Sequence, residues 1–93
     1  MRATRTVAAW VRLYTRPNCG LCANAKYEIE QAAAKTPFEL AEIDITKPEH
    51  QAAFDKYAFD VPVLHVAPTE SGDPTKVFMH RVSAADLLAA LKN

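Results

Sequence analysis

The chain predicts a single α/β domain with the element order β-α-β-α-β-β-α. Three observations lead there. In the first half, short runs rich in β-branched and aromatic residues alternate with Ala-rich stretches of helical periodicity. In the second half, two apolar runs flank a segment dense in turn formers, the pattern of a hairpin. The length of 93 residues suits one domain, and 49% hydrophobic side chains suffice for one small core.

Trp10 to Thr15 (WVRLYT) reads as a strand, closed by the breaker Arg16-Pro17-Asn18. From Gly20 to Lys35 a helix is expected. Leu21, Ala25, Ile29 and Ala32/Ala33 recur at helical spacing, while Lys26, Glu28, Glu30 and Gln31 supply a solvated face. Thr36-Pro37 ends it. Phe38 to Ile45 (FELAEIDI) alternates as a strand, with Phe38, Leu40 and, after a slip at Ala41, Ile43 and Ile45 on one face.

Thr46 and Glu49 match a capping box, with Pro48 in the first turn. The helix they start should run to about Tyr57 and bury Ala52, Ala53, Phe54 and Tyr57. Val61 to Val66 (VPVLHV) is an apolar strand opening on proline. Pro68 to Thr75 (PTESGDPT) reads as a long hairpin loop, and Lys76 to His80 as the returning strand. Ser83 caps the last helix, with Asp86 three residues on and Leu87, Leu88 and Leu91 as its apolar face. The opening β-α-β implies a parallel crossover and the closing hairpin an antiparallel pair. The sum is a four-stranded mixed sheet with three helices.

Eleven basic and eleven acidic side chains cancel. The chain therefore carries no electrostatic footprint for nucleic acid or an acidic membrane. No apolar run reaches the roughly 18 residues of a membrane helix. Residues 1–9 read as a short basic tail, with the domain proper at 10–93. That tail is Arg-rich and acid-poor, also the character of a mitochondrial presequence end. The cytoplasm is the expected compartment and the mitochondrion the second.

The chemistry concentrates in TRPNCGLCANAK, residues 15–26, which holds the chain's two cysteines. Cys19 and Cys22 fall where a strand ends and a helix begins. A thiol in a first helical turn faces unpaired N–H groups and the positive end of the dipole. Both favour thiolate over thiol, so the Cys19 pKa should lie below that of a free cysteine. Arg16, three residues upstream, can add a second positive field. Thiolate is the attacking species in disulfide exchange. At i, i+3 Cys22 is close enough to bond Cys19 and sits deeper in the helix. The expected roles are attack by Cys19 and resolution by Cys22.

This segment, followed by an Ala-rich helix and later by Val61-Pro62, resembles the thioredoxin superfamily, with small glutaredoxin-like proteins nearest. The resemblance runs from about Val11 to Leu91. It implies a thioredoxin-like fold of the glutaredoxin type and a CxxC dithiol/disulfide cycle. It implies that Pro62 is a cis-proline lying against the CxxC. The backbone of Val61 would then pair with a substrate strand, and Leu21, inside the motif, would meet the substrate. Arg16 stands where glutaredoxins usually carry a lysine. Glutathione is implied as a reductant or co-substrate, with no cofactor held. The implied partners are a disulfide-bearing protein or glutathione mixed disulfide and a reductase system, and a monomer is expected. Two positions depart from the family pattern. Gly20-Leu21 replaces Pro-Tyr between the cysteines. His80-Arg81 stands where a glycine pair lets glutathione approach the backbone.

Other readings of the same residues are a metal site, a binding module with vestigial thiols, and a redox sensor without turnover. A zinc site needs two more ligands, and His50, His65 and His80 lie fifteen residues apart, without finger spacing. No metal is expected. Trp10 and Tyr14 read as packing residues, with a substrate platform as the alternative.

Overall fold

The computed structural model describes residues 9–92. The expected basic tail falls almost wholly in residues 1–8, outside the described residues. Strand β1, Trp10–Thr15, is one of the two inner strands of the sheet, with four of its six residues buried. It pairs in parallel with β2 (Glu39–Asp44) and antiparallel with β3 (Val63–Ala67), which in turn pairs antiparallel with β4 (Lys76–Met79). The order across the sheet is β2-β1-β3-β4. Three helices complete it: α1 (Gly20–Ala33), α2 (Gln51–Tyr57) and α3 (Ala84–Leu91). The architecture is the expected four-stranded mixed sheet with three helices.

Two cores follow from strand parity. Val11 and Leu13 lie opposite Val66 and Leu64 in the β1–β3 register and share one face. Ala25, Ile29 and Ala32 of α1 and Leu87 of α3 close over them, each at most 3% exposed. A second cluster gathers Cys22, Ile45, Tyr57, Val61 and Val63, with Tyr14, Cys19 and Ala53 against it. The buried stripe of α1 is Cys22, Ala25, Ile29 and Ala32. It runs through Cys22 and leaves Leu21 half-buried, one position away from the sequence expectation.

Several boundaries differ from the sequence reading for local reasons. Helix α1 stops at Ala33, two residues before Lys35, with Ala34 as its C-cap. The β1–β2 register is continuous from Trp10↔Glu39 to Thr15↔Asp44, so there is no slip at Ala41. Phe38 and Leu40 therefore face one side of the sheet and Ile43 the other. Leu40 is 45% exposed on this edge strand.

Thr46 does not cap α2. Its hydroxyl and its amide both donate to Asp44 Oδ1, at 2.6 and 2.9 Å, a local turn that competes with a helix cap. Those two bonds hold the Asp44 carboxyl below its ordinary value. The helix opens instead on a 3-10 turn, Pro48–His50. With only seven residues, α2 buries Tyr57 and half-buries Ala53, while Phe54 stays 41% exposed. Strand β3 begins at Val63 because Pro62 has no N–H for the ladder. Ser83 caps α3 as the sequence indicates, accepting from the Asp86 amide at 3.0 Å.

The hairpin loop between β3 and β4 is tied from beneath. Arg12, 8% exposed, donates to the carbonyls of Glu70 at 2.8 Å and Gly72 at 2.9 Å. Its Nε and Nη2 also face His65 Nδ1, at 3.4 and 3.2 Å. Arginine can only donate, so His65 Nδ1 is the acceptor and Nε2 carries the proton. Nε2 then donates to the Tyr57 hydroxyl at 2.9 Å. Tyr14 packs beside both rings, with centroids 5.0 Å from Tyr57 and 4.8 Å from His65.

Burial, then the Arg12 and Lys56 charges, lower the His65 pKa from its ordinary 6.5. A second proton on the ring would face the Arg12 donors. The unfolded chain binds that proton at the ordinary value, so just below it the unfolded state holds more protons than the folded one. Stability therefore rises with pH through that window and is lost on acidification. Thermal unfolding should show Tm falling as pH drops below 6.5, and His65→Gln should flatten the fall. A wild-type Tm with no slope there would contradict this.

Candidate active site at the head of the first helix

The site is built where β1 hands over to α1. After Thr15 the chain turns through Arg16 and Pro17 and reaches Asn18, at φ 58°. Asparagine tolerates this left-handed geometry better than most side chains. Cys19 follows in extended conformation, φ −121° and ψ 111°, as the N-cap of α1. That position is usually filled by an oxygen acceptor. Here Cys19 Sγ takes its place, accepting from the Cys22 N–H at 3.2 Å. The Cys19 carbonyl accepts the Ala23 amide at 3.1 Å and starts the helical ladder.

Cys19 and Cys22 are joined by a disulfide, with their Cα atoms 5.2 Å apart. Their environments differ. Cys22 is 2% exposed, sealed in the second core cluster, whereas Cys19 is half-buried at its rim. An approaching sulfur therefore meets Cys19 first.

Val61, 7% exposed, belongs to the same cluster as the cysteines, and the Val61–Pro62 peptide is cis. The carbonyl of Pro62 accepts the His80 amide at 2.8 Å. His80 stands at φ 69°, a region glycine favours, and its Nε2 lies 3.2 Å from Asp60 Oδ1. The turn before α3 is thus fastened to the cis-proline segment from two sides. Between that turn and α1 lies a groove of about 420 Å³, starting at Leu21 and lined further on by Tyr27, Glu28, Arg81 and Asp86.

Cys19, Cys22 and Val61 therefore share one cluster, with Pro62 next to Val61 in the chain, and Leu21 lines the groove towards α3. Arg16 is exposed and lines a separate depression of about 510 Å³ together with Lys26, Glu42, Lys47 and His50. In that depression Lys26 and Glu42 form a salt bridge. Among the described residues no group of three or more His, Cys, Asp and Glu side chains could hold a metal ion, and no helix is long and apolar enough to cross a membrane.

Three features of the site are not visible in the sequence. Helical phase puts Glu28 on the solvated face of α1, but its Oε1 accepts the Ala84 amide at 2.8 Å. The Asp60–His80 contact joins residues twenty apart. His80 adopts a glycine-like backbone without being glycine. Only the position of Glu28, three residues after Ala25 of the buried stripe, hints that it borders the core.

Comparison with known proteins agrees with this geometry. Residues 10–92 match the model of the glutaredoxin-like domain (DUF836). A glutaredoxin-like protein YDR286C homolog from Dictyostelium discoideum is 36% identical over 76 residues, 77% of this chain. The chain spans 65% of that relative's length. Among solved structures, target protein XcR50 from X. campestris is 27% identical with a TM-score of 0.65, covering 88% of this chain and 95% of its own. A mutant thioredoxin from Halobacterium salinarum is 21% identical with a TM-score of 0.73, covering 92% and 74%. Its likeness speaks to the fold alone. With residues 10–92 matched to the family model, a thioredoxin-like fold and a CxxC pair at the head of α1, the chain belongs to the glutaredoxin-like domain family.

Proposed function

We propose that the protein is a thiol–disulfide oxidoreductase that reduces disulfides of polypeptides or glutathione mixed disulfides. One observation carries the reading: the Cys19 sulfur is the N-cap acceptor of α1, and its bonded partner Cys22 is sealed behind it. In the reduced protein the same N–H favours thiolate at Cys19. That thiolate attacks one sulfur of the substrate disulfide. A mixed disulfide forms, and the other substrate sulfur leaves as thiolate and takes up a proton. Cys22, deprotonated, then attacks Cys19 Sγ. The second substrate thiol is released, and the Cys19–Cys22 disulfide remains. Two electrons have passed to the substrate, and an external thiol reductant, glutathione or a protein dithiol, returns them.

Val61 offers its main chain to the substrate beside Pro62, and Leu21 borders the bound segment. Arg16 supplies positive field from outside the cluster. The protein works as a monomer, with no bound cofactor, in the reducing cytoplasm or mitochondrial matrix. The test is turnover of a peptide disulfide by the wild-type protein in two separate reducing systems. One couples glutathione to glutathione reductase, and the other couples thioredoxin to its reductase. Turnover in either supports the reading. None in both overturns it and leaves a thioredoxin-fold binding module.

A further inference from the structure

The groove that begins at Leu21, between the two cysteines in the chain, ends at the first turn of α3. The first amides of a helix point outward, have no partner within the helix and carry partial positive charge. A helix start of this kind ordinarily receives an anion. In this protein it is filled from within. Glu28 reaches over from α1, and its Oε1 accepts the Ala84 amide at 2.8 Å, across 56 positions of sequence. Ser83 Oγ accepts the Asp86 amide at 3.0 Å. Asp86 adds a carboxylate of its own in the same turn and faces the same groove. Against these two acids the described lining of the groove sets one permanent cation, Arg81.

We propose that Glu28 is a specificity-determining residue: it occupies the α3 amide that a small anionic thiol would need, and so directs the site to polypeptide disulfides over glutathione mixed disulfides. The proposal rests on the oxidoreductase reading above and names its substrate class. Glutathione is a tripeptide with two carboxylates and one ammonium, so every part of it lies close to a charged end. A cysteine inside a polypeptide presents neutral amides on both sides. The first ligand needs a home for its carboxylates, and the α3 start that faces the groove is already taken by an acid. The second needs only room and main-chain contact. His80 works in the same direction. It keeps a left-handed backbone, but its imidazole, tied to Asp60, stands where glycine would leave the backbone bare.

A merely structural Glu28 would tether α1 to α3 and leave selectivity untouched. Two variants separate the roles. Glu28→Gln keeps an acceptor for Ala84 but removes the charge, and Glu28→Ala removes both. The first readout needs no turnover. The oxidised full chain is titrated with S-methylglutathione, which cannot enter exchange, and the Ala84 and Ala85 amides are followed by NMR. The wild type should show no saturable shift at millimolar ligand, Glu28→Ala should show one, and Glu28→Gln a weaker one. The second readout is kcat/KM for glutathione disulfide divided by that for an amidated, uncharged peptide disulfide. In Glu28→Ala this ratio should rise by about tenfold or more. Saturable wild-type shifts at Ala84 would overturn the proposal. So would an unchanged ratio and no binding in variants that remain folded by circular dichroism. If Glu28→Ala unfolds, the charge-only Glu28→Gln decides. A wild type that reduces neither substrate sinks the oxidoreductase reading, while the binding arm still judges Glu28.

Discussion

A Cys22→Ser protein will form one mixed disulfide with its substrate through Cys19 and then stop. The expectation follows from the division of exposure between the two sulfurs. Cys19, half-buried at the helix cap, can still be reached and can still attack. Cys22 is 2% exposed and has no route to a substrate except through Cys19. Serine in its place cannot cleave the Cys19–substrate bond, because a hydroxyl is not ionised near neutral pH and is no match for sulfur in disulfide exchange. The adduct should be visible by intact-mass spectrometry and disappear on reduction. Cys19→Ser should form no adduct and lose steady-state reduction by about a thousandfold or more, since the nucleophile itself is gone. The contrast matters more than either loss. If Cys22→Ser turned over normally, resolution would come from an external thiol and the proposed cycle would be wrong. If Cys19→Ser formed the adduct, the roles would be reversed.

Arg12→Ala should be the most destabilising of the polar substitutions, by about 3 kcal/mol. The guanidinium is almost fully buried and donates to three loop carbonyls, Thr69, Glu70 and Gly72, and to His65. Bonds from a charged donor are each worth more than a neutral pair, and the gap left by the side chain adds to the loss. For a domain whose whole stability is about 5–15 kcal/mol, that is a large share. Arg12→Lys should fall between, because it keeps the charge but loses the planar fork. Glu70→Gln should stay within about 0.5 kcal/mol of wild type, since only the Glu70 carbonyl is used. Urea denaturation at neutral pH reads all three. An Arg12→Ala midpoint equal to wild type would show that water replaces these bonds at no cost.

The sequence is most informative where a residue's neighbours decide its fate. The WVRLYT strand, the helix starting at Gly20 and the Ser83 cap all depend on local pattern, and all stand where the pattern puts them. So does the placing of Cys19 at a helix start, which follows from the breaker before it and the Ala-rich run behind it. What cannot be read depends on contacts across the sheet. Arg12 looks like one more polar residue in an alternating strand, yet its partners lie 53 to 60 positions away. Glu28 looks solvated because its helical phase borders the buried stripe without joining it. Thr46 fails as a cap because Asp44, two residues earlier, claims both its donors. In each case a local rule loses to a specific competing bond.

The sheet order has a consequence for the molecule in a crowd. Two flanks, β2 and β4, have no neighbour on their outer side among the described residues. Strand β2 displays Glu39, Glu42 and Asp44, so a second copy sliding alongside would meet its own charge. Strand β4 is only four residues long, with Val77 and Met79 each more than 40% exposed. One border is guarded by repulsion and the other by brevity. Concentrated protein will therefore first stick along β4, and added salt will then weaken the guard on β2.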